Sequence, residues 1–340
     1  MREPFPTRDH GLVYALDLRS VGRERELYAA AKAGTMERLR PGAYRSRPPT
    51  DPGVSPAERD RSRYRMMVRA AAAQLDRPVF TGHSAIALAG MPILGPWPDE
   101  VFVLSRNGTA SRRRGVVTIA RTADVPITVR AGIAMTSIEF SLIQLARRAP
   151  LEAALTATDA ALYAPPWGGA VPRTTIHRLR REHERLLPYP GSRRMDEVLR
   201  RATDGAATPL ETLSRLVIEE LGFPQPVLQH RLRLDELERD AYLDFWWPDH
   251  GVVGEADGRG KYRGRTRAAA SGASGTRDPA ALAAATVIDE KRREDAIRRR
   301  VRGFARWDWA EAMRRHPIDH YLTAAGLPKT RRPRRLLTQK

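Results

Sequence analysis

The sequence predicts an α/β protein of the α+β kind. A winged-helix-like start and a small α/β and helical middle lead to a C-terminal domain whose mixed sheet is flanked by helices. Three observations carry this reading. Tyr242–Trp247 and Gly251–Ala256 are strand-like runs of aromatic and β-branched residues around the turn Pro248-Asp249-His250-Gly251. Before them, a helix over 208–221 carries a full set of end signals: Thr208 as N-cap, Pro209 at N1, Glu211 at N3 and Gly222 as the stop. After them come a basic helix over 288–302 and the aromatic strand FARWDW. The expected segments are 1–50, 57–200, 205–320 and a basic tail over 326–340, with the main boundary near Gly205.

In order, residues 1–20 carry no strong pattern and read as a loose arm. ERELYAAAKAG is a helix closed by Gly34, and TMERLRPGAYRS after it is a hairpin turning at Pro41-Gly42. A short helix followed by a basic hairpin has the form of a winged helix-turn-helix end. Arg38, Arg40 and Arg45 are therefore candidates for reaching phosphates. RPPTDPGVSP is a Pro-rich linker, and a helix spans Ala57 to about Leu75. Phe80–Met91 reads as a short helix capped by Ser84, with His83 a loop or cap histidine because no second ligand stands at metal spacing. Glu100–Leu104 and Gly115–Ala120 are strands around the basic loop RNGTASRRRG. Ser137–Arg148, Leu151–Tyr163 and Thr174–Leu187 are helices, and Val227–Leu234 opens a three-strand meander. Thr266–Ala285 is small-residue, low-complexity sequence, and KTRRPRRLLTQK is expected to be disordered.

Composition narrows the chemistry. Lys and Arg number 59 against 40 Asp and Glu, a net charge of +19, and a field of that sign attracts polyanions, with nucleic acid the first candidate. The absence of cysteine excludes disulfides, zinc–thiolate sites, iron–sulfur clusters and a Cys nucleophile. The N-terminus lacks the apolar core of a signal peptide and no run of about 18 apolar residues occurs, so a soluble, cytoplasmic protein is expected.

Strand alternation then brings acids together. Tyr242, Asp244 and Trp246 share one face of the first strand, and Glu255 and Asp257 project together from the second. Acids inside apolar strands are rarely left without a partner, and carboxylates held close together serve to hold a divalent cation or a proton. Lys261 follows in GRGK.

The order of helix with Glu211, meander with Asp244 and then Glu255-Ala256-Asp257, basic helix EKRRED and strand RWDW resembles the PD-(D/E)xK nuclease superfamily, and more closely its very-short-patch-repair-type endonucleases. The resemblance spans 208–316. It implies one or two Mg²⁺ (or Mn²⁺) ions on Asp244 and Glu255, Glu211 reaching the metal through water, and phosphodiester cleavage in DNA. The superfamily has a lysine two residues after the Glu, where this chain has Asp257. Lys261 or Lys291 is the candidate replacement, and Lys291 and Arg292 on the basic helix are candidate DNA contacts. The N-terminal two-thirds are similar to AbiEi-type antitoxins. The alternative is therefore a non-catalytic transcriptional regulator or antitoxin of a type IV-like toxin–antitoxin system, with a toxin as partner.

Overall fold

A computed structural model describes residues 4–169, 171–257 and 279–338, and it is mixed α and β with several separate sheets. The chain forms two compact units, residues 1–149 with 173–201 and residues 150–172 with 202–340.

The N-terminal unit begins with β1 (Leu12–Tyr14), α1 (Ala15–Arg19), α2 (Glu24–Lys32), β2 (Met36–Arg40) and β3 (Ala43–Ser46). The three strands form an antiparallel sheet in the order β1-β3-β2. The start of the chain is thus not a loose arm from residue 12 onward. Leu12, Val13 and Tyr14 are buried in the sheet, and Val13, Leu18, Leu27, Met36 and Tyr44 make one apolar core. The signal was short: three apolar residues give β1 too little length to show its period.

α3 (Pro56–Gln74) starts at a complete capping box between Ser55 and Glu58. α4 (Gly82–Leu88) is preceded by Thr81, not capped by Ser84. The Ser84 hydroxyl is buried, accepting from the Phe102 amide at 2.8 Å and facing the Tyr64 hydroxyl at 3.0 Å. β4 (Val101–Leu104) pairs in parallel with β6 (Val116–Ile119), and β5 (Ser111–Arg113), inside the expected basic loop, adds an exposed antiparallel edge. β7 (Ile127–Arg130) and β8 (Ile133–Thr136) form a hairpin tied to β4 through Phe80, which bridges Val103 and Met135. α5 (Ile138–Ala146), and, beyond α6 (Leu151–Leu162), α7 (Ile176–Leu186) and α8 (Ser192–Arg201) complete this unit.

The C-terminal unit takes α6 back from the middle of the chain, so the units do not divide at residue 205 alone. α6 packs on α9 (Pro209–Leu221), and buried Asp159 holds the two together. Its carboxylate accepts from Thr212 Oγ1 (2.9 Å), Arg215 Nη1 (2.8 Å) and the Thr203 amide (3.0 Å). Periodicity finds a helix in 151–163 but not which unit it serves. The cap signals of α9 are realised: Thr208 Oγ1 accepts from the Glu211 amide, and Gly222 closes the helix at φ 87°.

β9 (Val227–Leu234), β10 (Arg239–Trp247) and β11 (Val252–Asp257) form the expected meander. β12 (Gly303–Asp308) then adds in parallel to β11, giving a mixed sheet in the order β12-β11-β10-β9. α10 (Pro279–Arg298) begins earlier than the expected 288. Ala296 and Ile297 of α10 cover Ala241, Leu243 and Val253 on one face. On the other face Phe245 stacks on Trp307, whose Nε1 donates to Ser214 Oγ of α9 at 2.8 Å. α11 (Trp309–Arg314) and α12 (His316–Ala324) follow.

The tail is a correction. Thr330 and Arg331 donate their amides to the Gly222 carbonyl, Arg334 pairs with Glu219, and Leu337 is 4% exposed. Basic composition suggested disorder, but the tail's charges find the acidic end of α9 and its Leu337 finds a buried position. Among the described residues no helix is long and apolar enough to cross a membrane.

Candidate active site at the fork of the sheet

β10 pairs with β9 from Arg239 to Trp246, yet with β11 only from Phe245 to Trp247. β11 in turn pairs with β12 along its whole length. The two middle strands therefore part just where Asp244 and Glu255 sit. The β10 backbone also twists there. Leu243 faces the α10 side and Phe245, two residues on, faces the α9 side, where alternation alone would have kept them together. Across from Asp244, Gln229 adopts φ 48°, unusual for a non-glycine residue in a strand.

Asp244 is 4% exposed, Glu255 5% and Glu211 2%, so all three expected acids are buried around this fork. Each is engaged. Asp244 Oδ2 accepts from the Ala256 amide at 2.9 Å, a group that β10 would have bonded had the strands stayed together. Glu211 accepts from the Ala207 amide at 2.8 Å and from Thr208 Oγ1 at 3.0 Å, a capping role. Gln229 Nε2 lies 3.3 Å from both Glu211 Oε2 and Asp244 Oδ1, linking the two acids.

Arg293 of α10 enters from the opposite side, donating to Glu255 Oε1 (3.3 Å), the Tyr242 carbonyl (3.1 Å) and Glu290 Oε1 (2.9 Å). Burial works against its charge, but Glu255, Glu290 and Asp244 outweigh this and hold its pKa above the usual value. Sequence reasoning missed both Gln229 and Arg293. Gln229 is a polar residue in an ordinary-looking strand. Arg293 is one of several basic residues in IDEKRREDAIRRRVR, and only helical phase separates it from exposed Lys291 and Arg292.

The remaining candidates are spread out. Asp257 ends β11, half-buried and opposite Asp308. Lys261 lies outside the described residues. In the N-terminal sheet Arg38 is exposed, whereas Arg45 is half-buried and paired with Glu37 at 2.7 Å, which also binds Arg63 of α3 at 2.9 Å. Arg45 is thus held against α3 and not presented as a free phosphate contact. Arg40 is half-buried at the hairpin turn.

Among the described residues no three His, Asp or Glu side chains converge closely enough to form an all-protein metal cage. The donor set suits a hard, largely hydrated cation. Mg²⁺ takes oxygen ligands, keeps several waters and is commonly held by one or two carboxylates, which Asp244 and Glu255 can supply. Zn²⁺, with its preference for three or four N or S ligands, does not suit this set. No protein family, no curated protein and no solved structure matches the chain.

Proposed function

We propose that the C-terminal unit is a Mg²⁺-dependent (or Mn²⁺-dependent) endonuclease-like domain acting on DNA phosphodiester bonds, of the PD-(D/E)xK type, and that the N-terminal unit is a winged-helix-like module contributing DNA affinity. One observation carries this reading: buried Asp244 and Glu255 stand on neighbouring strands where those strands separate, in a helix–meander–helix–strand unit with a mixed sheet. Burying two acids in a sheet core is costly unless their charge is used or compensated. A divalent ion at Asp244 and Glu255 would supply a Lewis acid for the phosphate and lower the pKa of a bound water.

The protein's own contributions in this reading are separable. Asp244 and Glu255 bind the ion. Glu211, joined to Asp244 through Gln229, fixes the far wall of the fork, and Arg293 holds Glu255 in place and supplies positive charge. Asp257 occupies the position of the superfamily's lysine, so among the described residues the cation beside Glu255 is Arg293. Exposed Lys291 and Arg292 on the same helix, together with Arg38, suit contacts to the DNA backbone.

A second reading has specific support. Glu255 is already paired with Arg293, and Asp257 stands in the lysine position, as a non-catalytic DNA-binding regulator or antitoxin with a toxin partner would tolerate. Melting curves with and without millimolar Mn²⁺, together with a plasmid-nicking assay, separate the two. The nuclease reading expects a metal-dependent rise in melting temperature and metal-dependent nicking. The regulator reading expects DNA binding with neither.

A further inference from the structure

Gln229 sits where β9 departs from its own regularity. The β9–β10 ladder runs in register from Leu234 opposite Arg239 to His230 opposite Leu243, then resumes at Leu228 opposite Phe245. It skips the position between them, where Gln229 faces Asp244. There Gln229 takes φ 48°, a left-handed conformation that a residue with a long side chain adopts only under constraint. The skipped pair and the positive φ both work against the sheet. What they secure is the placement of one carboxamide.

That carboxamide stands between two buried carboxylates. Gln229 Nε2 is 3.3 Å from Glu211 Oε2 of α9 and 3.3 Å from Asp244 Oδ1 of β10, while Glu211 is 2% exposed and Asp244 4%. Two acids held this close repel each other and have lost hydration, which favours a cation or a strong donor in the gap. An amide nitrogen carries two N–H donors and no charge, so it can meet one carboxylate with each. The carbonyl oxygen in its place would add a third acceptor to the two, which fixes Nε2 as the atom that faces the acids.

The amide thus supplies the contacts of a cation, but it is tethered to the backbone and does not exchange with ions in solution. Gln229 is itself half-buried, so the gap it fills lies near solvent once its side chain is gone. Arg293 meets Glu255 from the opposite side of the fork. We propose that Gln229 is a built-in neutral substitute for a divalent cation: it keeps an ion out of the gap between Glu211 and Asp244 and limits the fork to one ion, on Asp244 and Glu255. This rests on the reading of the fork as a cation site, and it decides between one ion and two.

The experiment counts ions. Mn²⁺ is titrated into the full chain and the free ion is read by electron paramagnetic resonance, with melting curves in EDTA and in Mn²⁺ beside it. Gln229→Gly removes the amide and accepts φ 48° without strain. The parent should bind one ion and Gln229→Gly one more, with a larger metal-dependent rise in melting temperature. Adding Glu211→Gln to Gln229→Gly should abolish the extra ion, since glutamine at N3 still serves the helix cap but brings no charge to the gap. Gln229→Asn serves where the glycine variant folds poorly. Asparagine tolerates a positive φ, and its amide is one methylene too short to meet both acids, so it should also admit the extra ion.

Variants with the same ion count as the parent overturn the proposal, as does a parent that loses two bound ions on Asp244→Asn. Fewer or more weakly bound ions in Gln229→Gly assign Gln229 the opposite role, a ligand through its carbonyl oxygen, and overturn it as well. The nuclease reading is judged separately, by the parent's own count. A parent that binds none while Gln229→Gly binds one refutes the metal-dependent reading and upholds the exclusion by Gln229.

Discussion

Arg293→Met tests the charge balance of the fork. In the parent, the Glu255 side chain is 7% exposed and that of Arg293 17%, at an N–O distance of 3.3 Å. Removing one member of a buried pair takes compensating charge from the other, which costs up to about 3–5 kcal/mol. The partial exposure of Arg293 and its looser 3.3 Å contact place this case near the lower end, about 3 kcal/mol. The Tyr242 carbonyl and Glu290 also lose a donor, so the cost does not fall much below that. Arg293→Met with Glu255→Gln removes both charges and should recover most of the loss. Urea unfolding in EDTA, followed by tryptophan fluorescence, reads this directly. Five of the six tryptophans (167, 246, 247, 307 and 309) lie in the C-terminal unit. If the fork takes a divalent ion, Mn²⁺ should restore more stability to Arg293→Met than it adds to the parent, because it stabilises the folded form by mass action and no longer competes with the guanidinium. A loss under about 1 kcal/mol, or a double variant no more stable than the single one, would refute the reasoning.

Three further outcomes follow from the same unit. A Cβ on Gly254 would stand 2.6 Å from Trp307 Cη2 and 3.1 Å from its Cζ3, so Gly254→Ala should destabilise by about 1–3 kcal/mol in the same urea titration. Burial raises the Asp159 pKa to about 6, with Arg215 only partly opposing it. A raised carboxylate pKa means the folded state takes up the proton first. The Asp159 contribution to stability therefore grows as pH falls from above 6 toward the ordinary carboxylate value, and is level below it. The stability difference between parent and Asp159→Asn should accordingly vary with pH across that window and not above it. Ending the chain after Pro328 removes the Arg334–Glu219 pair, the bonds to the Gly222 carbonyl and buried Leu337, and should lower stability by about 2 kcal/mol; a melting temperature equal to the parent's would contradict the docked tail.

Features that reside in local sequence were legible. Thr208, Pro209, Glu211 and Gly222 mark α9 because capping is a matter of a few neighbouring residues. The acids Asp244 and Glu255 stood out as charges within strongly apolar strands, and both are buried. Illegible features depend on contacts distant in sequence. Asp159 joins α6 to Thr203, Thr212 and Arg215 some fifty residues away, which no helical period reveals. Arg293 is singled out from its basic neighbours only by facing the sheet, and Gln229 only by a backbone turn opposite Asp244. The pairing of Arg45 with Glu37, which also binds Arg63 of α3, is likewise not visible from the hairpin sequence alone.

The central claim is that the fork formed by Asp244 and Glu255 holds a divalent ion for phosphodiester cleavage. Its most direct test compares parent and Asp244→Asn for nicking of supercoiled plasmid in EDTA, Mg²⁺ and Mn²⁺, at protein concentrations where both bind the plasmid equally. The account predicts nicking by the parent only with metal, and none by Asp244→Asn despite retained binding. Equal nicking by the two proteins, or none by the parent under any ion, would contradict it.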